Sequence, residues 1–279
     1  MGHRWNHPHR DRCWIHTPED VTPAVCGVYF NRHRGWSRDC AFNFKQKMMG
    51  NKILQSVELT RINGGCERIT ERIIRETALS LRINGKVYAT AMITAGMERE
   101  FALGHLYAQG IISHMAQVTS LEITETTVEI TLTQNAKRSE NPVTSSLVVD
   151  RNKVFTCVKA ILKSDVFAET EAVHSAGLFL EGETPVAITE DLGRHHALDK
   201  AIGAALLEGI DLTRTLAAST GRQPTEMIHK CRNAGIPIIA TKGVPTSLAV
   251  SLAEQNNITI AGLVRGTRMT LYSHPERIR

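Results

Sequence analysis

Four short segments of this 279-residue sequence place glycine near a cationic side chain, a combination suited to binding phosphate. Glycine allows a ligand to approach the main chain closely, and an arginine guanidinium group can donate two parallel hydrogen bonds to a phosphate. A single pair of this kind is more typical of a solvated helix start, but four together favour a site for a nucleotide or another polyphosphate. The candidate binding residues are Gly193, Arg194 and His195 in the first segment, Gly221 and Arg222 in the second, Lys242 and Thr246 in the third, and Leu263, Val264, Arg265, Gly266, Thr267 and Arg268 in the fourth.

Two histidines in the first segment lie within about one helical turn of a carboxylate. Asp199 follows His195 by four residues and His196 by three, so either pair can meet on one face of a helix. This spacing leaves two interpretations open: a general base held by a carboxylate, or an ordinary pairing on the helix. The same reasoning predicts an ordinary ion pair within one helix between Glu226 and Lys230.

Several familiar catalytic and metal-binding motifs are absent from the sequence. It contains no Walker phosphate loop, no dinucleotide-binding glycine fingerprint after a strand and no paired-histidine zinc helix. The single His-x-Glu, which begins at His274, lacks the Pro-Cys-x-x-Cys that follows in a zinc deaminase. His174 lies in an apolar run and is interpreted as a residue of the core or of a pocket. The sequence therefore predicts a binding site, and it identifies neither a catalytic residue nor a metal ligand.

The elements that must position these segments alternate between strand and helix along the second half of the chain. Apolar runs predict strands at residues 186–189, 215–218, 236–240 and 258–263, with helices near 195–208, 224–234 and 245–255. Such short connections imply right-handed crossovers, so we predict an α/β domain with a mainly parallel sheet and a last strand, 269–273, at its edge. Ligands bind beyond the carboxyl ends of parallel strands, and all four glycine–cation segments follow a predicted strand.

A smaller α+β domain is predicted upstream. Two strand-like runs flank Asn84-Gly85, a pair that suits a two-residue hairpin turn. A helix at 97–108, ended by Gly110, and two further strands at 120–124 and 127–133 are expected to follow. Residues 134–146 are polar and turn-rich, which predicts a linker, and a helix at 154–162 is expected to bury Cys157 in the core. We therefore divide this part of the chain into an α+β domain at 48–145 and an α/β cofactor-binding domain at 146–279.

The first 47 residues differ in composition from the rest of the chain. They hold all three tryptophans, three of the six cysteines and four of the five net positive charges. Because neither a helical nor a strand period runs through them, we interpret residues 1–47 as a disordered arm or as sequence that is not native to the protein. A nucleic-acid arm or a metal site is less favoured, since the cysteines of the arm form no close ligand pair. The rest of the protein is nearly neutral, and neither nucleic acid nor a membrane is an expected partner.

The thiol content predicts a cytoplasmic protein. The closest two cysteines are 13 residues apart along the chain, and the opening residues lack the apolar segment of a secretory signal. Unpaired thiols are typical of the reducing cytoplasm. The uncharged stretch at residues 101–121 contains too many glycines and polar residues to span a membrane.

Several of these motifs, taken together, resemble one protein family. The resemblance extends over about residues 76–279 and includes Phe101-Ala102-Leu103-Gly104 in the upstream domain. In the α/β domain it rests on Asp191-Leu192-Gly193-Arg194-His195-His196, on Gly221-Arg222 with Glu226-Met227, on Ala234-Gly235-Ile236-Pro237, and on Tyr272-Ser273-His274-Pro275-Glu276-Arg277. The chain resembles the formate dehydrogenase accessory sulfurtransferases, the FdhD family.

This resemblance implies a fold, a cargo and partners. It implies a cytoplasmic homodimer that takes sulfur from a cysteine desulfurase and passes it to the molybdenum cofactor before formate dehydrogenase receives the cofactor. It implies a three-layer α/β domain similar to cytidine deaminases but without their zinc. The family's stretch for the bis-molybdopterin guanine dinucleotide form of the cofactor falls on residues 263–268, and GDP is expected to mimic the nucleotide end of that cofactor.

One part of the family pattern is missing from this sequence. The family carries its persulfide on a Cys-x-x-Cys loop between the two domains, and residues 134–147 of this chain contain no cysteine. Sulfur transfer through a protein persulfide needs an accessible thiolate. Two functions therefore stay open: a sulfurtransferase acting on the molybdenum cofactor with an unconventional or missing thiol, or a non-catalytic carrier or chaperone of the cofactor or of guanine nucleotides that has lost persulfide chemistry.

Overall fold

The computed structural model of the protein describes residues 53–133 and 141–279, and these contain twelve strands and six α-helices. The predicted N-terminal arm lies outside the described residues, as does the first half of the predicted linker. The chain begins its described part with an antiparallel hairpin of β1 (Leu54–Ile62) and β2 (Cys66–Ile74). The base of this hairpin packs with Val166 and Val173 of the later domain.

A four-stranded sheet covered by one helix follows the hairpin. Its strands are β3 (Glu76–Ile83), β4 (Lys86–Thr94), β5 (Val118–Ile123) and β6 (Thr127–Leu132), in the order β4-β3-β6-β5. The predicted turn at Asn84-Gly85 is confirmed, because both residues have left-handed φ angles of 50° and 78°. The predicted helix is α1 (Glu98–Ala108), which buries Phe101 and Leu106 against this sheet. Gly110, with φ of 72°, follows its end as predicted.

A six-stranded sheet forms the centre of the larger part. Its strands are β7 (His174–Leu180), β8 (Thr184–Asp191), β9 (Thr215–Ser219), β10 (Ile238–Thr241), β11 (Thr259–Arg265) and β12 (Arg268–Ser273). Their order is β12-β11-β10-β9-β7-β8, with β9, β10 and β11 parallel to one another and β12 at the predicted edge. Strand β7 runs antiparallel to both of its neighbours, so β8 points in the same direction as β9, β10 and β11.

The prediction of a mainly parallel sheet is wrong, because three of the five strand pairings are antiparallel: β11 with β12, β9 with β7, and β7 with β8. Strand β7 was not predicted from the sequence. Strands β7 and β8 form a hairpin, closed by a turn in which Glu181 and Gly182 have positive φ angles of 53° and 67°. Strand β7 begins with His174 and Ser175 and continues as an apolar run without the alternation of polar and apolar residues that predicts a strand. The shared direction of β8 to β11 is nevertheless the feature on which the site prediction depends.

Helices lie on both faces of this sheet. On one face α4 (Arg194–Leu207), α5 (Thr225–Ala234) and α6 (Ser247–Gln255) share a buried apolar cluster with the sheet, and these are the three predicted helices. On the other face α2 (Arg151–Ile161) buries Cys157 as predicted, and the short α3 (Asp165–Thr170) follows it. The predicted α/β class is thereby confirmed, while the likeness to cytidine deaminases stays a prediction. Within the described residues no helix is long and apolar enough to cross a membrane.

Candidate functional site

The four glycine–cation segments meet at one end of the six-stranded sheet, where the carboxyl ends of β8, β9, β10 and β11 all lie. We call this end of the sheet the rim. A β-carbon added to Gly221 would lie 2.6 Å from Cδ of Arg194, so the arginine stem rests on the glycine. A β-carbon on Gly243 would lie 2.8 Å from the carbonyl oxygen of Gly221. The Leu263 amide donates to the carbonyl of Gly243 across 2.8 Å. The first segment therefore touches the second, the second touches the third, and the third touches the fourth.

A groove runs along the rim on the face of the sheet that α2 covers. It consists of three adjoining cavities, which we name the inner, middle and outer cavities and together call the rim groove. The inner cavity, about 420 Å³, is lined by His174, Thr220 and Lys242 among others. The middle cavity, about 500 Å³, shares Lys242 with the inner one and is lined by Val264, Arg265 and Gly266. The outer cavity, about 1040 Å³, shares Arg265 with the middle one.

The predicted binding residues divide into two groups with respect to this groove. Lys242 and every residue from Leu263 to Arg268 line at least one of the three cavities. The others line none of them, although they lie in the same four segments: Gly193, Arg194, His195, Gly221, Arg222 and Thr246. Thr246 has a structural task, because its hydroxyl accepts a hydrogen bond of 3.3 Å from the Ala249 amide at the start of α6.

The predicted pairing of Asp199 with His195 or His196 is wrong. The buried Asp199 carboxylate accepts hydrogen bonds from Lys230 Nζ, at 2.6 and 2.8 Å, and lies 2.9 Å from His105 Nδ1. Two other helices, α5 and α1, supply these partners, and no spacing rule within α4 can reveal them. His195 instead lies 3.6 Å from Glu226, so the predicted Glu226–Lys230 pair does not form either.

The charge of Asp199 is secured by its neighbours. Burial on its own raises the pKa of the Asp199 carboxyl, but the Lys230 ammonium and the His105 ring outweigh burial and lower the pKa below its usual range. Asp199 therefore stays ionised at neutral pH and ties α1, α4 and α5 together beneath the rim. The carboxylate thus has a structural role, in place of the one considered from the sequence, in which it would hold a neighbouring histidine as a general base.

A second buried ion pair fixes the first segment of the rim. The Lys200 ammonium lies 2.8 Å from the Asp191 carboxylate and donates to the carbonyl of Thr94, also across 2.8 Å. Asp191 accepts from the amides of Thr94 and Gly193, at 3.0 and 2.9 Å. The end of β4 is thus joined to the turn between β8 and α4. Sequence reasoning missed this network because Thr94 and Lys200 are distant in the chain.

Two histidines at the rim are neutral at physiological pH. Burial, with the nearby Arg194 and Lys230 charges, lowers the pKa of His195 to about 4. Burial and Arg194 also lower the pKa of His174, whose Nδ1 lies 3.2 Å from the Thr220 hydroxyl. His174 lines the inner cavity, as its sequence context predicts. The rim therefore presents cationic arginine and lysine together with uncharged imidazole.

None of the three cysteines in the described part of the chain lines the rim groove. Cys157 and Cys231 are buried, and burial raises the pKa of each thiol to about 12. The Cys157 thiol donates to the carbonyl of Gly182 across 3.1 Å, and Cys66 is exposed on β2. Across residues 53–133 and 141–279, no three His, Cys, Asp or Glu side chains are grouped to hold a metal ion. The expectation that the domain holds no zinc stays a prediction.

Comparison with known proteins places the chain in a family. The model of the FdhD/NarQ family matches residues 74–149 and 134–279. The sulfur carrier protein FdhD of Methanothermobacter thermautotrophicus is 29% identical over 247 residues, with 81% of this chain and 99% of the relative covered. The protein of the same name in Bordetella bronchiseptica is 31% identical over 259 residues, covering 80% and 94%. A crystal structure described as a formate dehydrogenase accessory protein from Desulfotalea psychrophila aligns with a TM-score of 0.72 at 26% identity, covering 81% of this chain and 100% of that one. The chain belongs to the FdhD/NarQ family.

Proposed function

We propose that this protein acts in the maturation of formate dehydrogenase by binding the molybdenum cofactor, as bis-molybdopterin guanine dinucleotide, in the rim groove. One observation carries the proposal: the residues 263–268, where the family resemblance puts the guanine dinucleotide, line a groove whose cations come from separate segments of the fold. The molybdenum cofactor is here a cargo that is received and passed on.

The chemistry of the groove suits such a cargo. A guanine dinucleotide carries phosphates between planar heterocycles, so it needs cations flanked by less polar space. Lys242 and Arg265 supply cations in the middle cavity. The inner cavity offers apolar walls from Ile161, Phe167 and Leu192, together with the neutral His174 ring, which supports binding of a heterocycle there.

The partners and the location are proposed from the family resemblance. A cysteine desulfurase supplies the sulfur, formate dehydrogenase receives the cofactor, and the protein works as a homodimer in the cytoplasm. In this reading the protein is a sulfur carrier of the kind for which its curated relatives are named.

A second candidate is a carrier or chaperone of the cofactor that performs no sulfur chemistry. Two observations favour it: residues 134–147 contain no cysteine, and Cys157 and Cys231 are buried thiols whose pKa is about 12. A thiol of that kind is almost entirely protonated at neutral pH and is a poor nucleophile.

Calorimetric titration with GDP tests the binding site. We expect saturable binding that Arg268→Ala weakens by about 1.5–3 kcal/mol, the range for a hydrogen bond to a charged group. Arg214→Ala is the matched control, because Arg214 is an exposed arginine that pairs with Glu181 and lines no part of the rim groove. Equal affinity of the Arg268 variant and the unaltered protein would refute the assignment of residues 263–268.

Mass spectrometry separates the two candidate functions. The protein is incubated with a cysteine desulfurase and cysteine, and its peptides are searched for added sulfur. Persulfide on any cysteine that can be chased onto the cofactor would establish the sulfur carrier and exclude the carrier without sulfur chemistry. Retained GDP binding with no added sulfur would establish the reverse.

A further inference from the structure

The outer cavity lies along the open edge of the six-stranded sheet. Four consecutive residues of β12, from Arg268 to Leu271, line it. Successive side chains of a strand point to opposite faces, so a cavity that touches four in a row follows the edge of the strand. Strand β12 pairs with β11 on one side, and within the described residues no strand pairs with its other side. The backbone groups along this edge are therefore available to a further strand.

The opposite wall of the outer cavity is built from the two ends of the α/β domain. The Arg151 amide donates to the carbonyl of Arg279 across 2.7 Å, and the Arg279 amide donates to the carbonyl of Val149 across 3.1 Å. These bonds hold the last residues of the sequence beside the start of α2. A trough thus runs between them and β12, with Phe155 and Ile278 among its apolar lining residues.

The charge of this trough has one sign. No aspartate or glutamate is among its lining residues. Four arginines line it: Arg151, Arg265, Arg268 and Arg279. None of the four forms an ion pair with a carboxylate side chain in the described part of the protein. Even with a main-chain carboxylate on Arg279 counted, the trough has a net positive charge. Like charges gathered in this way favour an anionic occupant.

We propose that the outer cavity binds an extended acidic segment of a partner protein, which adds a strand to the free edge of β12. Main-chain hydrogen bonds to β12 would supply affinity, because strand addition satisfies the open backbone groups of both chains. Carboxylates of the segment pair with the arginines that line the trough. A second copy of this chain is disfavoured at this edge, since it would oppose arginine with arginine.

The proposed peptide site and the proposed nucleotide site share Arg265 and Arg268, and each also has residues of its own. Arg151 and Arg279 line only the outer cavity, whereas Lys242 lines only the inner and middle cavities. Arg265 and Arg268 are excluded from the test, because Arg265 lines both the middle and outer cavities and Arg268 belongs to the proposed nucleotide stretch. Because the outer cavity is part of the rim groove and is lined by Arg265 and Arg268, the peptide and the nucleotide are expected to compete for it. Each is therefore titrated in the absence of the other, so that one proposal can fail while the other holds.

Fluorescence anisotropy with the full chain tests the peptide site. The probe is a labelled octapeptide in which glutamate alternates with valine, and we expect it to bind with a dissociation constant in the micromolar range. The double variant Arg151→Ala/Arg279→Ala is expected to weaken peptide binding at least tenfold. Lys242→Ala, which alters only the inner and middle cavities, is expected to weaken GDP binding and to leave peptide affinity within twofold. Arg214→Ala, an exposed arginine elsewhere, is expected to change neither affinity.

Two altered probes test the mode of binding. A peptide with alternate amides N-methylated is expected to lose binding, because it keeps the charges but cannot complete a strand ladder. A peptide with lysine in place of glutamate is expected not to bind. The proposal is overturned if the octapeptide does not bind, if the N-methylated or the lysine peptide binds equally well, or if the double variant keeps its peptide affinity.

Discussion

Gly104 of α1 and Gly203 of α4 each lie against the main chain of the other's helix. A β-carbon on Gly104 would be 1.8 Å from the carbonyl oxygen of Asp199, and one on Gly203 would be 1.8 Å from the carbonyl oxygen of Glu100. The two helices therefore cross with their backbones in contact. This crossing joins the four-stranded sheet to the helix that begins at the rim, and it leaves no room for a larger residue.

Gly203→Ala is expected to destabilise the protein by about 3 kcal/mol, at the upper end for an overpacked core, because the obstacle is backbone that cannot rotate away. Urea unfolding measures the change in the free energy of unfolding. Gly65→Ala is the control, since a β-carbon there would meet nothing within 4 Å. Equal loss of stability in the two variants would contradict the close crossing.

Lys230→Met is expected to lower the free energy of unfolding by about 3–5 kcal/mol, because it leaves the Asp199 carboxylate buried without its cation. Chemical denaturation measures this loss. The double variant Asp199→Asn/Lys230→Met is expected to be more stable than the single one, since the uncompensated charge is gone. A surface control, Arg214→Ala, is expected to lose less than about 1 kcal/mol. Equal stability of the single and double variants would argue against the ion pair.

Stability is expected to fall as the pH is lowered from about 6.5 to 4, in part because of His195. The pKa of His195 in the folded protein is about 4, below the value of about 6.5 in an unfolded chain. In that window the unfolded chain binds the proton and the folded protein does not, so acid favours unfolding. Each pKa unit corresponds to about 1.4 kcal/mol, so a difference of about 2.5 units gives His195 a share on the order of 3 kcal/mol.

The share of His195 is obtained by comparing urea unfolding of the protein and of His195→Gln at several pH values between 7 and 4. The variant is expected to show a flatter dependence of stability on pH. Parallel curves for the two proteins would show that His195 is not held in its neutral form. His174→Gln provides a comparison, because burial and the Arg194 charge also lower the pKa of His174.

The three described cysteines are expected to differ in reactivity. Iodoacetamide should label the exposed Cys66 in the native protein and should reach Cys157 and Cys231 only after denaturation, because these thiols are buried with a pKa of about 12. Peptide mass spectrometry identifies the labelled positions. Rapid labelling of Cys157 in the native protein would make Cys157 a candidate for the residue that carries the sulfur.

Part of the fold follows from local patterns in the sequence. Asn84-Gly85 specifies its hairpin because these residues tolerate positive φ. Helix α2 was expected only from residue 154, whereas it begins at Arg151, after Asp150 accepts a hydrogen bond from the Asn152 amide. The strand–helix alternation after residue 185 places the glycine–cation segments after strands. Strand β7 escaped detection, since its apolar residues show no period.

The sequence by itself determined which residues stand at the ends of strands, because that depends on neighbours along the chain. Only the tertiary structure decided which of those residues share a groove and which charges pair. Lys242 and Arg265 line one cavity although 23 residues separate them, because β10 and β11 are neighbours in the sheet. Asp199 pairs with Lys230 and His105 rather than with the histidines of its own helix, because three helices bury it together. Two charges that are buried together attract each other more strongly than two charges on the exposed surface of one helix, because solvent does not screen the buried pair.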